Sequence, residues 1–178
     1  MSRSILLLFA HPAIHRSRAN RALAGAVRDL DGVTFHDLYE TYPDLLIDVA
    51  HEQALLARHD ALIVQHPLYW YSAPALVKEW LDLVLTHGWA YGAGGNALRG
   101  KLWMTAITAG GEESAYHSGG ANRFTLTELL RPFEATAHLC GMNWREPFVL
   151  NASHLRDDAA LEAAARRYRA HVLALQRD

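Results

Sequence analysis

The chain has 178 residues, of which 51% are hydrophobic and 20% charged, and this balance predicts a single globular domain spanning residues 1–178. Its formal net charge of -2 at pH 7 excludes the strongly basic composition of nucleic-acid-binding proteins. The one cysteine, Cys140, cannot form an internal disulfide, and no apolar run reaches the length of a membrane span. We therefore expect a cytoplasmic protein with no nucleic-acid partner.

Short apolar segments alternate with amphipathic ones along the chain. Strands are predicted at residues 4–9, 33–36, 60–66, 101–108 and 143–150. Five helices are also predicted: one capped by Ser17, one at residues 51–58, one capped by Ser72, one at residues 124–140 and one that starts at Asp157 or Asp158. Strands that alternate with helices indicate a parallel sheet covered on both faces. In one small domain this favours a flavodoxin-like α/β three-layer sandwich with strand order 2-1-3-4-5.

The loop at residues 11–20 leads from the first predicted strand to a helix N-terminus. Free backbone N–H groups and the helix dipole favour an anion at such a position. Ser17 and Asn20 can add side-chain hydrogen bonds, and His11 and Arg18 can add positive charge, so a phosphate group suits this loop. The alternative is that Ser17 is only a helix cap and His11 only a turn residue.

The loop after the third predicted strand presents Tyr69, Trp70 and Tyr71 in succession. In open α/β sheets, ligands bind at the edge where this loop lies. A packed core does not need three adjacent aromatic residues on a turn, whereas a flat aromatic ligand would use them. The alternative is that Trp70 and Tyr71 belong to the core or to a dimer interface.

The loop after the fourth predicted strand begins with TAGGE at residues 108–112, and Tyr116 and His117 follow. The paired glycines, Gly110 and Gly111, let the backbone approach a ligand closely and point N–H groups at it. The alternative is a mobile surface loop. Together, the phosphate cradle, the aromatic wall and the glycine-rich edge predict a site for flavin mononucleotide (FMN).

Other kinds of site have weaker support. Neither a P-loop nor a G-x-G-x-x-G dinucleotide fingerprint is present. The eleven histidines are scattered and include no H-E-x-x-H pair, so we expect no metal site. Cys140 has no evident activating base, and we expect an inert thiol.

Residues 66–80, HPLYWYSAPALVKEW, resemble the central motif of the NAD(P)H:quinone oxidoreductases of the DT-diaphorase type. The resemblance continues through WAY at residues 89–91, TAGG at residues 108–111, Tyr116, and CG at residues 140–141. Within this family, the sequence resembles the ancillary subunit of the bacterial glutathione-regulated potassium efflux system. That resemblance includes AHP at residues 10–12, SRAN at residues 17–20 and HGWAYG at residues 87–92.

The resemblance implies a flavodoxin-like homodimer that binds a flavin, which is FMN in the short members, with FAD as the alternative. It implies that residues 11 and 17–20 hold the phosphate and ribityl end of the flavin. Tyr116 matches a tyrosine that assists hydride transfer, and Asn122 stands where that tyrosine has a histidine partner. The expected cofactor-binding residues are His11, Ser17, Arg18, Ala19, Asn20, Pro67, Leu68, Tyr69, Trp70, Tyr71, Thr108, Ala109, Gly110, Gly111 and Tyr116.

The implied activity is a two-electron, ping-pong reaction in which NAD(P)H gives hydride to the flavin and a quinone then takes it. The N–H groups of Gly110 and Gly111 and the Tyr116 hydroxyl are the candidates for stabilising charge on the reduced ring. One alternative is a regulatory subunit that binds and activates a potassium–proton antiporter at the cytoplasmic face of the inner membrane. Another is a one-electron flavodoxin shuttle, which the nearly neutral charge disfavours.

Overall fold

The computed structural model describes residues 2–178, which form a six-stranded sheet between two layers of helices. The strands are β1 (Ile5–Phe9), β2 (Val33–Asp37), β3 (Ala61–Pro67), β4 (Leu102–Thr108), β5 (Asn143–Trp144) and β6 (Phe148–Leu150). The helices are α1 (Arg18–Val27), α2 (Leu38–Thr41), α3 (Val49–Arg58), α4 (Ala75–Val84), α5 (Leu126–Leu129), α6 (Arg131–Leu139) and α7 (Asp158–Leu175), with short 3-10 turns at Ile14–Arg16 and Glu113–Ala115. Within the described residues, no helix has the length and apolar character needed to cross a membrane.

All strand pairs are parallel, and the order β2-β1-β3-β4-β5 is the predicted one. β6 also pairs with β4. In the register, Phe9 at the end of β1 lies opposite Gln65, and Pro67 at the end of β3 lies opposite Thr108. The loops that follow β1, β3 and β4 therefore meet at one edge of the sheet.

The sheet is buried on both faces, because every residue of β1, β3 and β4 is buried. Alternate side chains point to opposite layers. Leu6 and Leu8 pack in the layer with α3, α4 and α6, whereas Ile5, Leu7 and Phe9 pack in the layer with α1 and α7. This double burial explains why the strands appear in the sequence as continuous apolar runs.

Helix capping agrees with the sequence at two of three positions. Ser17 and Asp157 cap α1 and α7 as predicted, each accepting a backbone N–H in the first turn. The prediction for Ser72 is wrong, because the N-cap of α4 is Pro74 and no side chain caps this helix. Ser72 instead exchanges two backbone hydrogen bonds with Tyr69 and closes a tight turn.

Two elements predicted to be continuous are divided in the structure. The strand expected at residues 143–150 is split into β5 and β6, and Pro147 between them has no N–H for the ladder. The helix expected at residues 124–140 is split into α5 and α6, with Pro132 in the first turn of α6. Proline is tolerated there, whereas in a helix interior it would remove a hydrogen bond and clash with the preceding turn.

Glu52 in α3 is fully buried and accepts hydrogen bonds from three separate segments. The donors are His36 Nε2 at 2.7 Å, the Tyr42 hydroxyl at 2.6 Å and Trp80 Nε1 at 2.8 Å. Burial raises the pKa of Glu52, but hydrogen bonds from the three donors lower it below its usual value. The core layer that contains α3 and α4 is therefore built around a buried carboxylate.

His66, near the end of β3, is also fully buried. Its Nδ1–H donates to the Pro67 carbonyl at 2.9 Å, Nε2 has no partner among the described residues, and the ring lies 5.5 Å from that of Phe133. Burial lowers the pKa of His66 to about 4, so the ring is neutral at physiological pH. This histidine contributes to the packing of the core next to the ligand-binding edge.

His66 is expected to make the protein sensitive to acid. Because the unfolded chain protonates at about pH 6.5 and the folded chain only near pH 4, the unfolded state binds more protons between these values. The free energy of unfolding should therefore fall by about 2 kcal/mol between pH 7 and pH 5 through this residue. Urea unfolding at both pH values measures the loss.

The matched variants for this prediction are His66→Phe and His117→Gln. His66→Phe keeps a ring in the core but cannot titrate, so its stability should depend less on pH than that of the parent protein. His117 is exposed, and its substitution should leave the pH dependence unchanged. An equal loss of stability in the parent protein and in His66→Phe would contradict the prediction.

Candidate functional site

A cavity of about 510 Å³ opens at the edge of the sheet where β1, β3 and β4 end. Its walls come from the start of α1, from the loops after these strands and from a segment that follows β6. The lining residues are His11, Ala13, Arg16, Ser17, Arg18, Ala19, Asn20, Pro67, Leu68, Tyr69, Thr108, Gly110, Ser153 and His154. Ten of the fifteen residues predicted to bind a cofactor therefore meet around one cavity.

The N-terminus of α1 forms the polar end of this cavity. Ser17 Oγ accepts the backbone N–H and the side-chain Nδ2 of Asn20, both at 3.2 Å, and Asn20 Nδ2 also reaches Thr108 Oγ1 at 2.9 Å. No hydrogen bond within residues 2–178 uses the backbone N–H of Arg18 or Ala19. These two donors and the helix dipole are available to an anion.

The positive charge expected from His11 is absent at neutral pH. Burial lowers the pKa of His11, and its Nδ1 accepts the Ala13 N–H at 3.0 Å, so the neutral ring carries its proton on Nε2. The His11 ring lies edge-on to that of Tyr69, with the centroids 6.1 Å apart. Arg18 forms an exposed ion pair with Asp158. The cavity therefore offers an anion the exposed guanidinium groups of Arg16 and Arg18 and the neutral donors at the N-terminus of α1.

The aromatic loop is a tight turn closed by Tyr69 and Ser72, whose backbones exchange hydrogen bonds of 3.1 and 3.0 Å. Its two central residues have positive φ values, 50° for Trp70 and 62° for Tyr71. Left-handed conformations cost side-chain-bearing residues of order 1–3 kcal/mol, and such strain clusters at functional sites. Only Tyr69 lines the cavity; Trp70 is 92% exposed and Tyr71 50% exposed.

Of the two predicted glycines, Gly110 lines the cavity and Gly111 does not. The N–H groups of Gly110 and Gly111 have no acceptor among the described residues. Ala109 does not line the cavity, because it is fully buried and its N–H donates to the Leu150 carbonyl at 2.9 Å. Tyr116 packs on Gly111 and borders a separate cavity of about 340 Å³. Tyr116 is therefore near the predicted site without forming its wall.

Four lining residues were not predicted from the sequence: Ala13, Arg16, Ser153 and His154. Ser153 and His154 follow the last strand of the sheet, and the Ser153 N–H donates to the Ala109 carbonyl at 3.0 Å. The predicted strand order already placed the end of this strand beside that of β4, and this was the signal that could have identified them.

The cavity has the donors and acceptors that FMN requires. Asn20 lines the cavity and its Oδ1 is buried without a partner among residues 2–178, which suits a hydroxyl group of a ribityl chain. The free N–H groups at α1 suit a phosphate, and the free Gly110 N–H on the cavity wall suits the polar edge of a flavin ring. The residues present therefore fit the predicted cofactor.

The comparisons with known proteins agree with the fold. Residues 3–172 match the family Flavodoxin_2, described as a flavodoxin-like fold. The glutathione-regulated potassium-efflux system ancillary protein KefG of Serratia proteamaculans is 50% identical over 164 residues, which cover 92% of this chain and 90% of that protein.

Two solved structures are similar over nearly their whole length. General stress protein 14 of Treponema denticola, in complex with FMN, has a TM-score of 0.91 and 43% identity and covers 97% of this chain and 99% of its own. The NADPH-quinone reductase of P. pentosaceus has a TM-score of 0.86 and 33% identity, with coverages of 94% and 96%. The chain belongs to the flavodoxin-like NAD(P)H:quinone reductase family, together with the potassium-efflux ancillary proteins.

Proposed function

We propose that the protein is an FMN-dependent NAD(P)H:quinone oxidoreductase. The observation that carries this proposal is the set of unpaired donors and acceptors around the 510 Å³ cavity. Two relatives support it: one structure contains FMN at 43% identity, and another is a NADPH-quinone reductase at 33% identity.

The residues of the cavity divide into a phosphate end and a ring end. The Arg18 and Ala19 N–H groups and the Ser17 hydroxyl would bind the phosphate, and Asn20 Oδ1 would accept a hydrogen bond from a ribityl hydroxyl. When bound, FMN supplies the chemistry that accepts hydride from NAD(P)H and returns it to a quinone. The residues at the other end of the cavity would hold the flavin ring and stabilise its charge.

At the ring end, Leu68 and Tyr69, which line the cavity, would hold the flavin ring. The free N–H of Gly110, on the cavity wall, and that of the adjacent Gly111 would stabilise negative charge that develops on the ring. The backbone around these two groups is held by hydrogen bonds, because the Ala109 N–H donates to the Leu150 carbonyl and the Ala152 N–H donates to the Gly111 carbonyl, both at 2.9 Å. Fixed donors need no reorganisation when the ring changes charge.

We also propose that the protein is a homodimer. Trp70 and Tyr71 are large, exposed and held in strained backbone conformations at the mouth of the site. A second copy that covers them would remove apolar surface from water and exclude solvent from the ring. Size-exclusion chromatography with light scattering tests this arrangement.

Purified protein that is incubated with FMN and desalted is expected to retain the cofactor. It should then oxidise NADH or NADPH when duroquinone is supplied, without any added protein partner. The visible absorption spectrum before and after heat release measures retention, and the loss of reduced nicotinamide absorbance measures turnover. A protein that takes up no FMN would contradict the proposed function.

The second candidate function is that of an ancillary subunit of a potassium efflux system, acting at the cytoplasmic face of the inner membrane. The 50% identity to KefG over 92% of the chain favours it. Both functions can reside in one protein. Co-expression with a potassium–proton antiporter, followed by measurement of potassium efflux with and without this chain, tests the second function independently of quinone turnover.

A further inference from the structure

Two further cavities meet along β6, outside the cavity described above. One has a volume of about 480 Å³, and the other is the cavity of about 340 Å³ that Tyr116 borders. Both are lined by Glu113, Val149 and Asn151, so together they form one groove. Strand β6 pairs only with β4, which leaves its outer edge open in the part of the chain that the structure describes. An open strand edge presents unpaired N–H and C=O groups to whatever occupies the groove.

The arginines of this groove are confined to one end. Arg156 and Arg167 line only the larger cavity, and Glu112, beside Glu113, lines it as well. Among residues 2–178, the charged residues of the smaller cavity are Glu113 and Glu146. Because Glu146 precedes β6 and Arg156 follows it, the two ends are separated by about the length of the strand, roughly 10 Å for three residues.

The charged side chains of the groove have almost no partners within the protein. None of these five residues forms an ion pair within residues 2–178. In the described chain, their one side-chain hydrogen bond runs from Arg156 Nε to the Asn151 carbonyl oxygen at 3.2 Å. Asn151, which lines both cavities, has its Oδ1 buried without a partner in the same range. An amide oxygen buried without a donor is costly, and an N–H group of a ligand would satisfy it.

These features fit the end groups and the backbone of a short peptide. Guanidinium groups bind a carboxylate, and carboxylates bind an ammonium group. The open edge of β6 can pair with peptide N–H and C=O groups, as in strand addition, and Asn151 Oδ1 can accept a further N–H. A nucleotide fits less well, because the three glutamates would repel its phosphate groups.

We propose that this groove binds a free, zwitterionic peptide of about three residues, whose carboxylate lies at Arg156 and Arg167 and whose ammonium group lies at Glu113 and Glu146. An extended tripeptide spans roughly 10 Å, which matches the separation of the two ends. In this orientation the peptide runs parallel to β6. The site is independent of the proposed function, because none of these four residues lines the 510 Å³ cavity.

The first test compares three peptides that differ only in their end groups. Trialanine has both charges, N-acetyl-trialanine lacks the ammonium group, and trialanine amide lacks the carboxylate. Each peptide is titrated into ¹⁵N-labelled protein, and the Kd is obtained from the shifts of the backbone amide signals. Removal of either charge should raise the Kd about 5-fold, near the upper limit for one exposed ion pair. A capped peptide that binds as tightly as trialanine would overturn the proposal.

Two variants assign each charge of the peptide to its partner. Arg167→Gln should raise the Kd of trialanine about 5-fold and leave that of trialanine amide unchanged. Glu146→Gln should raise the Kd of trialanine by a similar factor and leave that of N-acetyl-trialanine unchanged. Arg166→Gln is the matched control, because Arg166 is adjacent on α7 but pairs with Glu162 and does not line the groove. Equal losses in Arg166→Gln and Arg167→Gln would contradict the assigned site.

The same spectra locate the bound peptide. The amide signals of Val149 and Asn151 should shift most, because both residues line the groove. Those of Arg18 and Gly110, which line the 510 Å³ cavity, should stay in place. No shift at all, or shifts confined to Arg18 and Gly110, would overturn the proposal. The titration is made with and without bound FMN, so a failure to bind FMN would contradict the proposed function alone.

Discussion

Replacement of Glu52 by alanine is expected to lower the free energy of unfolding by about 3–5 kcal/mol, the cost of removing one partner from a buried charged network. The substitution leaves His36 Nε2, the Tyr42 hydroxyl and Trp80 Nε1 without their shared acceptor. Each of these donors would then be buried without an acceptor, although folding has removed the water molecules to which it donated in the unfolded chain. Urea unfolding followed by circular dichroism measures the change.

Glu79→Ala is the matched control for Glu52→Ala. Glu79 is an exposed glutamate on α4, in the same layer of helices, and forms no ion pair in the described structure. Its substitution should change the stability by no more than about 0.5 kcal/mol. If Glu52→Ala cost as little as Glu79→Ala, the carboxylate would not be the centre of a stabilising network.

Asn20→Asp is expected to weaken FMN binding by roughly 10²–10³-fold, because a carboxylate beside the phosphate adds about 3 kcal/mol of repulsion at an effective dielectric constant of 20 and a separation of about 5 Å. Aspartate has the shape of asparagine but cannot donate to Ser17 Oγ or Thr108 Oγ1. The binding constant is measured by titrating the fluorescence of FMN with protein.

Gly25→Asp places the same charge elsewhere on α1. A Cβ at Gly25 meets nothing within 4 Å, so the new side chain points into open space. FMN binding by this control should match that of the parent protein. Equal affinities in Asn20→Asp and the parent protein would show that the phosphate does not lie at the N-terminus of α1.

The strand order was predictable because the signals in this sequence are strong and local. Continuous apolar runs correctly identified strands buried on both faces, and their alternation with helices identified the parallel sheet. Ser17 was predictable as a cap because a polar residue directly precedes an amphipathic segment. The errors at residues 124–140 and 143–150 arose where a single proline overrides the periodicity around it.

The direction of the side chains in the aromatic turn, residues 69–72, could not be predicted from the sequence. Three consecutive aromatic residues indicated a ligand wall. The two central positions of the turn hold neither glycine nor asparagine, the residues that would signal the positive φ values that Trp70 and Tyr71 adopt. That backbone geometry directs Trp70 into solvent and leaves only Tyr69 on the cavity. Side-chain direction within a strained turn depends on tertiary contacts and does not follow from composition.

The buried cluster around Glu52 had no sequence signal. Its members come from β2, from the segment after α2, from α3 and from α4, and no short motif joins them. A glutamate in an amphipathic helix is most often exposed, so burial of this one becomes visible only when the tertiary partners are known.

The hydrogen bond between Asn20 and Thr108 joins residues that are 88 positions apart in the chain. The cavity that they share exists only after β1, β3 and β4 have found their register, so a ligand held there binds the native state alone. By mass action, such a ligand at 100 times its dissociation constant adds about 2.7 kcal/mol to the stability of the chain. The supply of flavin in the cell would then influence how much of this protein escapes degradation, as well as how active it is.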